Sequence, residues 1–223
     1  MGRELVFNFH GIGTPHAGVG PEERPVWMSS ENFVLLLDRI ASLRREGKVP
    51  IDITFDDGNT SDLEIALPEL RKRRLPATFF LCSGRLQAPD YLNRDAVREL
   101  IAAGMVIGSH GMHHRDWRTL DKPELVDEVS AARKRLEDVC GLPVTKAAVP
   151  FGSYDRRVLT QLRVEGFECV YTSDGGFARC GAWLKPRNTM GMASRQQDIE
   201  DLAITSWRRQ LVRDAFRSYK MLR

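Results

Sequence analysis

Short apolar segments alternate with amphipathic segments of helical period along most of the chain. Seven of the apolar segments have the length and composition of β-strands. Strands that are joined through helices pair in parallel, with right-handed crossovers. The alternation therefore predicts an α/β fold, and we expect a distorted or incomplete (β/α)7 barrel of parallel strands. The predicted strands cover residues 5–9, 51–55, 76–81, 105–107, 146–149, 168–171 and 183–186.

The predicted helices follow the same alternation. The first starts with Ser30 as its N-cap, and the others cover about 61–73, 94–103, 122–139, 155–165 and 197–219. No GxGxxG or phosphate-binding loop follows any strand, which argues against a dinucleotide-binding fold. We expect residues 1–223 to form a single domain, because this length suits one α/β barrel.

Charge is unevenly distributed along the chain. The whole sequence sums to 33 − 30 = +3, which is too small to indicate a nucleic-acid partner. Residues 205–223, by contrast, carry six basic residues against Asp214 alone, a net charge of +5. Apolar residues recur there at helical spacing: Ile204, Trp207, Leu211, Ala215, Phe216, Tyr219 and Leu222.

This last helix has two interpretations. Either its apolar face closes the barrel, or it is a basic amphipathic surface that makes peripheral contact with anionic lipid or a partner. The chain has no apolar run of about 20 residues and no signal-peptide pattern at its start. We therefore expect a cytoplasmic protein.

Two adjacent carboxylates, Asp56 and Asp57, stand at the end of the second predicted strand and are followed by Gly58. Asp is a poor strand former, and two like charges repel unless a cation or a shared proton relieves them. His110 and His114, with three residues between them, complete a set typical of a catalytic Zn²⁺ or similar divalent metal. The alternative is that the Asp pair only caps a turn before the next helix.

Polar or tight-turn residues also follow other predicted strands. In parallel α/β barrels, functional groups lie on the loops after the carboxyl ends of the strands. We therefore expect these loops to meet at one rim of the barrel. Their residues are His10, Asp56, Asp57, His110, His113, His114, Pro150, Phe151, Gly152 and Asp174.

These motifs resemble the polysaccharide deacetylase family, also called the NodB-homology or carbohydrate esterase family 4 fold. Thr54-Phe55-Asp56-Asp57-Gly58 matches its first motif, TFDDG. Residues 109–114, Ser-His-Gly-Met-His-His, resemble its second motif, H-[ST]-x-x-H, with Gly111 in place of Ser or Thr. Pro150-Phe151-Gly152 matches part of its third motif, R-x-P-[YF]-G.

The resemblance implies a metal-dependent hydrolase that removes an N-linked acyl group, N-acetyl first of all, from an amino sugar or glycan. It implies that Asp57, His110 and His114 bind one divalent metal ion and that Asp56 is the general base. The backbone N–H of Phe151 would face the developing oxyanion. These donors suit Zn²⁺ first, and also Co²⁺, Ni²⁺, Mn²⁺ or Fe²⁺.

Two departures from the family pattern concern the catalytic residues. Ala148 stands where the third motif has Arg, and Arg187, after the last predicted strand, is the candidate for the missing cation, with Asp174 as a brace. No histidine follows His114, although the family places a general-acid His near the C-terminus. We assign that role to His10, because the first strand of a closed barrel lies beside the last, and circularly permuted members have an early His of this kind. The alternative is that His10 is a buried, hydrogen-bonded core histidine.

Substrate contacts are expected from Pro150, Gly152, Trp183 and Asp174. For Trp183 the reason is that aromatic faces stack on sugar rings. We expect His113 beside the metal site or in solvent rather than as a third imidazole ligand, and His16 in a loop. Two other functions stay open. One is a deformylase or amidase on a small or lipid-linked amide. The other is a catalytically degenerate carbohydrate-binding domain, which the missing Arg at position 148 would favour and the intact metal ligands argue against.

Overall fold

The computed structural model describes residues 2–204 and 207–222, without the side chains of residues 207–209. Its strands are β1 (Arg3–Phe9), β2 (Ile51–Asp57), β3 (Thr78–Leu81), β4 (Val106–Ser109), β5 (Lys146–Ala148), β6 (Cys169–Thr172), β7 (Phe177–Arg179), β8 (Leu184–Pro186) and β9 (Asn188–Thr189). Its α-helices are α1 (Ser30–Glu46), α2 (Leu67–Arg73), α3 (Arg94–Ala102), α4 (Lys122–Val126), α5 (Ala132–Cys140), α6 (Arg156–Val164), α7 (Gln196–Ala203) and α8 (Trp207–Leu222). Single-turn π-helical segments, Asp62–Ala66 and Asp127–Ala131, precede α2 and α5.

The strands form one sheet in the order β7-β1-β2-β3-β4-β5-β6-β8, with β9 paired to β1. Strands β1 to β6 and β8 pair in parallel, whereas β7 is antiparallel to β1. The prediction of a distorted barrel of parallel strands is therefore confirmed. The sequence pattern missed β7 and β9, because strands of three and two residues are too short to show alternation.

The segment 184–189 nearly closes the sheet into a barrel. Its first half, β8, pairs with β6, and its second half, β9, pairs with β1. Arg187 lies between the two halves, and its backbone N–H donates to the carbonyl oxygen of Thr172 at 2.9 Å. The two edges of the sheet therefore meet at Arg187, which brings β1 next to the segment 184–189.

Most of the hydrophobic core lies between the sheet and the helices, where the Phe55 and Phe79 rings stack at 4.7 Å. A second, smaller cluster fills the inside of the barrel: Val6, Phe80, Ala148, Tyr171 and Ala178. Successive strand residues point to opposite faces of a sheet. Asn8 and Asp56, which share strand parity with the inner residues, therefore point into the barrel.

Two predictions about helices are corrected by the structure. The N-cap of α1 is Ser29, whose side chain accepts from the Asn32 N–H, and not Ser30. The helix predicted at 197–219 is two helices, α7 and α8. Among the described residues, no helix combines the length and the apolarity needed to cross a membrane.

Helix α8 packs on the barrel with its polar side. The Gln210 side chain accepts from the Phe177 N–H at 3.0 Å, and Lys220 Nζ lies 2.7 Å from Asp174 Oδ1. The large apolar side chains face outward instead: Leu211, Val212, Phe216, Tyr219 and Leu222 are exposed. The interpretation in which the apolar face closes the barrel is therefore wrong for these residues, while the Trp207 side chain lies outside the described part of the chain.

Candidate active site

Strand β2 carries both carboxylates of the first motif to the carboxyl end of the sheet. It ends at Asp57, whose φ of 78° is left-handed, and Gly58 follows with a φ of 79°. A Cβ at Gly58 would lie 3.0 Å from the Leu81 side chain, so this turn favours glycine on both counts. Asp56 faces Asn8 inside the barrel, whereas Asp57 faces His114 at the rim.

Asp57, His110 and His114 lie together. One donor atom from each lies within 4.8 Å of the other two. Asp57 Oδ1 is 3.5 Å from His114 Nε2 and 4.0 Å from His110 Nε2. This oxygen is buried and has no hydrogen-bond partner among the described residues, although Arg85 Nη1 lies 3.3 Å away. A carboxylate oxygen without a partner that faces two imidazoles fits the donor set of a divalent-metal site.

His110 is held in the tautomer that a metal ligand needs. Its Nδ1 lies 2.8 Å from the carbonyl oxygen of Ala148, so Nδ1–H donates there and Nε2 keeps its lone pair. Burial lowers the pKa of His110 to about 4, against the opposing effect of Asp56. The imidazole is therefore neutral at neutral pH. Ala148, which lacks the side chain of the third motif, takes part through its carbonyl.

Arg187 reaches Asp56 from the opposite edge of the sheet. Both side chains are buried, and Arg187 Nη1 and Nη2 lie 2.6 and 2.7 Å from Asp56 Oδ1 and Oδ2. Asn8 also donates to Oδ2, at 3.0 Å. Burial raises the pKa of Asp56, but Arg187, His110 and His10 together lower it by more. The net pKa lies far below the ordinary 3.8, so Asp56 is a carboxylate at neutral pH.

The guanidinium of Arg187 is itself fixed by further partners. Nη1 donates to Asn8 Oδ1 at 2.8 Å and to Thr54 Oγ1 at 3.3 Å, and Nε donates to the Thr172 carbonyl at 3.3 Å. Because these partners belong to three different strands, Arg187 holds its orientation towards Asp56 only in the closed barrel.

His10 follows β1 and lies beside Asp56. Its Nε2 is 3.8 Å from Asp56 Oδ2, and its side chain is 15% exposed. Its Nδ1 is buried without a hydrogen-bond partner among the described residues. The alternative of a core histidine with satisfied hydrogen bonds does not fit this environment.

The third motif forms a tight turn over His114. Phe151 has a left-handed φ of 57°, and its ring, 58% exposed, lies 4.5 Å from the His114 ring. Pro150 and Gly152 are buried, and a Cβ at Gly152 would lie 2.9 Å from the Ser173 Cβ. These two residues therefore shape the turn, and Phe151 is the exposed residue of the three.

Two predicted substrate contacts are corrected by the structure. Trp183 precedes β8, so it lies at the amino end of the strands, where its Nε1 donates to the Phe167 carbonyl and Arg163 stacks on its ring. Among the described residues, no hydrogen bond or ion pair joins Asp174 to Arg187, so Asp174 is not the brace that we expected. Its carboxylate is instead engaged by Tyr154, Thr172 and Lys220, and it anchors α8 to the barrel.

The two other histidines lie where the sequence predicted them. His113 is exposed and is not a third imidazole in the cluster. His16 lies in the loop after β1, with its ring 5.6 Å from Trp27 and 5.3 Å from Tyr91.

Four charged residues around the site were not singled out from the sequence: Glu23, Asp62, Arg85 and Glu128. The buried Glu128 carboxylate accepts from the backbone N–H groups of Met112 and His113, at 3.0 and 3.1 Å, and so holds the His110–His114 loop. A signal for it existed, since Glu128 falls among apolar residues on the inner side of the predicted helix 122–139.

Asp62 is buried, and both of its carboxylate oxygens lack a hydrogen-bond partner among the described residues. Burial raises the pKa of Asp62 well above its ordinary value, and the charges of Asp57 and Asp56 raise it further. Asp62 therefore keeps its proton to a higher pH than an ordinary aspartate does.

A family model described as polysaccharide deacetylase matches residues 44–170 of this chain. YxkH of Bacillus subtilis (strain 168), whose name assigns it provisionally to the polysaccharide deacetylases, is 26% identical over 157 residues, 68% of this chain and 56% of that protein. A chitooligosaccharide deacetylase of Azorhizobium caulinodans is 32% identical over 122 residues, 54% of this chain and 56% of that protein. The chain thus spans a little over half the length of the curated relatives it matches.

Solved structures extend the similarity to nearly the whole chain. The Streptococcus pyogenes deacetylase PplD in complex with acetate has a TM-score of 0.77 at 17% identity, over 90% of this chain and 98% of that one. IcaB from Ammonifex degensii also has a TM-score of 0.77, at 20% identity, over 91% of this chain and 97% of that one. At these identities the likeness shows the fold, and it agrees with the nearly closed barrel.

Proposed function

Because the chain belongs to the polysaccharide deacetylase family, we propose that it is a metal-dependent hydrolase that removes an N-acetyl group from an amino sugar or glycan. A fold alone does not carry a function, since one fold serves many chemistries. The observation that carries the proposal is local. The Asp57-His110-His114 cluster lies directly beside a carboxylate that a buried arginine holds, with His110 Nε2 only 3.7 Å from Asp56 Oδ2.

One divalent ion is proposed to bind to Asp57, His110 and His114. The orphaned Asp57 Oδ1, the neutral His110 and the mixed carboxylate–imidazole donors fit such an ion. We propose Zn²⁺, while Co²⁺, Ni²⁺, Mn²⁺ and Fe²⁺ accept the same donors. When bound, the ion polarises the amide carbonyl and lowers the pKa of a water molecule.

Asp56 is assigned as the general base. Its Oδ2 faces the site, within 3.8 Å of both His10 Nε2 and His110 Nε2. Arg187 and Asn8 orient the carboxylate and keep it free of a proton, so Oδ2 is ready to accept one. A carboxylate with so low a pKa is a weak base, so this role requires that the bound ion lower the pKa of the water.

His10 and Phe151 are assigned to the two ends of the breaking amide. His10 gives a proton to the leaving nitrogen as the C–N bond breaks, which yields acetate and the free amine of the sugar. The backbone N–H of Phe151 donates to the oxyanion that develops on the carbonyl oxygen. The exposed Phe151 ring supplies an apolar wall next to His114, which suits a sugar face.

A second candidate is a deformylase or amidase that acts on a small or lipid-linked amide. The observation that favours a substrate at a membrane is α8, which turns its large apolar side chains outward. Segment 205–223 carries a net charge of +5, of which Arg217 and Lys220 pair with Asp174 on the barrel side, and the exposed apolar face of an amphipathic helix binds lipid surfaces. We propose peripheral contact with anionic lipid through this face. A degenerate carbohydrate-binding domain is disfavoured, because binding alone does not need a buried Arg187–Asp56 pair.

The test is hydrolysis of N-acetylated chitooligosaccharides by the Zn²⁺-loaded protein, with released acetate as the readout and N-formylated amino sugars in parallel. Asp56→Asn is expected to lower kcat by roughly 10²–10⁴-fold, the usual contribution of a general base. Asp57→Ala and His114→Ala are expected to lose both the metal and the activity.

His113→Ala is the matched control, because His113 is exposed next to the proposed ligand, and it should retain activity. Full turnover by Asp56→Asn would show that the base is assigned wrongly. Formate release without acetate release would select the second candidate.

A further inference from the structure

The loop between β1 and α1 returns to the metal cluster and delivers a carboxylate to it. Glu23 Oε1 lies 3.5 Å from His114 Nδ1 and 3.8 Å from Arg85 Nη2. The side chains of His114 and Glu23 are 8% and 21% exposed, so the contact is largely shielded from water. Glu23 is 91 positions before His114 in the chain and belongs to none of the three motifs.

The two imidazoles of the cluster need the same kind of support. A histidine that binds a metal through one ring nitrogen donates the other N–H to an acceptor, which fixes its tautomer and orientation. His110 has such an acceptor in the Ala148 carbonyl. His114 turns Nε2 towards Asp57, which leaves Nδ1 facing Glu23 as its acceptor.

Glu23 is placed by a folded segment of the loop. Its N–H donates to the Gly20 carbonyl at 3.0 Å, and a 3₁₀ turn, Arg24–Val26, follows directly. Two backbone hydrogen bonds close the loop at its base: the Gly13 N–H donates to the Met28 carbonyl, and the Met28 N–H donates to the Gly11 carbonyl. The carboxylate therefore meets His114 from a defined backbone position.

A cation lies beside Glu23 as well. Arg85 Nη2 is 3.8 Å from Glu23 Oε1, so the carboxylate that faces His114 is paired with a guanidinium. Arg85 bridges Glu23 and Asp57, since its Nη1 lies 3.3 Å from Asp57 Oδ1. Glu23 thus faces His114 from an ion pair with Arg85, and a carboxylate is a strong acceptor for an imidazole N–H.

We propose that Glu23 is a positioning residue of the metal centre. It accepts the Nδ1–H of His114, holds the ring with Nε2 towards Asp57 and His110, and thereby strengthens binding of the divalent ion. This inference rests on the proposed function, because it assumes that the cluster binds a metal. It assigns part of the centre to the loop after β1, outside the motifs that carry the family resemblance.

The experiment is a Zn²⁺ titration of the chelator-stripped protein in competition with a chromophoric chelator, without substrate. Glu23→Ala is expected to weaken Zn²⁺ binding by about 10–100-fold, the usual effect of removing the partner of a ligating histidine. Glu23→Gln should lose less, because its amide oxygen still accepts from Nδ1. The matched control is Glu22→Gln, since Glu22 is exposed and adjacent, and it should bind like the wild type.

A second readout separates positioning from a general structural role. ¹⁵N NMR of the imidazoles in the metal-free protein should show His114 with its proton on Nδ1 in the wild type, and a mixture of tautomers in Glu23→Ala. Thermal unfolding of the metal-free variant should match the wild type.

Three results would overturn the inference. These are unchanged Zn²⁺ affinity in Glu23→Ala, an unchanged His114 tautomer, or an affinity loss matched by a loss of metal-free stability. Each of them leaves the proposed function intact. If the wild type itself bound no metal, the proposed function would fail first.

Discussion

Replacing Arg187 with methionine removes the positive charge next to Asp56 while keeping a side chain of similar length. Arg187 and Asp56 are buried, and two hydrogen bonds of 2.6 and 2.7 Å join them. Loss of one partner of a buried ion pair leaves an unpaired buried charge and destabilises a protein by about 3–5 kcal/mol. We expect Arg187→Met to lower the free energy of unfolding by this amount at neutral pH.

The effect has a defined pH dependence. In the wild type the pKa of Asp56 lies below its ordinary 3.8, so the ion pair contributes stability above that pH and loses it as the pH falls through the folded-state pKa. In Arg187→Met the largest remaining influence is burial, so the pKa of Asp56 rises relative to the wild type. The difference in free energy of unfolding between the two proteins is therefore largest at neutral pH. It should shrink by up to about 1.4 kcal/mol per pH unit as Asp56 takes up a proton in the variant.

The assay is urea denaturation in the presence of a chelator at pH 7 and at pH 4.5, for the wild type, Arg187→Met and the double variant Arg187→Met/Asp56→Asn. The double variant should recover most of the loss, because it no longer buries a charge. Arg157→Met is the matched control, since Arg157 donates to the backbone carbonyls of Trp117, Leu120 and Arg118 rather than to a carboxylate. A loss below about 1 kcal/mol in Arg187→Met, or no recovery in the double variant, would refute the reasoning.

Three further predictions concern other groups. His10→Asn should lower kcat by about 10²–10⁴-fold with little change in KM or in the unfolding midpoint, as steady-state kinetics and thermal unfolding would show, and a normal kcat would exclude it as the acid. Asp62→Asn should stabilise the metal-free protein relative to the wild type, increasingly so as the pH rises above 3.8. Above that pH the unfolded wild type loses the Asp62 proton while the raised pKa keeps it on the folded wild type, so folding of the wild type becomes less favourable. A pH-independent difference in urea denaturation would contradict this. Phe216→Ser/Leu222→Ser should weaken sedimentation with phosphatidylglycerol vesicles by about tenfold or more. Ser218→Ala should not weaken it, and equal binding by both variants would exclude α8 as the lipid contact.

Much of the fold and the metal cluster could be read from local patterns. Strand and helix periods extend over five to twenty residues, and the carboxyl ends of parallel strands meet at one rim whatever the details of packing. Asp57, His110 and His114 could therefore be placed together from two strand ends, those of β2 and β4. The same logic failed for Trp183, because a residue just before a strand lies at the opposite rim from a residue just after one.

Other features depended on which surfaces pack against each other. Periodicity showed that α8 has an apolar and a polar face, but not which face lies on the barrel. The ionic contacts of Lys220 and Arg217 with Asp174 turn the polar face inward. Glu128 shows the same limit. Its carboxylate is buried because backbone N–H groups of the His110–His114 loop donate to it, and the helical pattern does not show that contact.

The amino-acid sequence alone was sufficient for the barrel class and for bringing Asp57, His110 and His114 to one rim, because both follow from short-range periodicity and from the direction of parallel strands. The partner of Asp56 was decided by barrel closure, which joins Arg187 to a residue 131 positions away. The contact of Glu23 with His114 was decided by the path of one loop. Such contacts depend on how segments far apart in the sequence pack in three dimensions, and no local pattern in the chain shows which of them will meet.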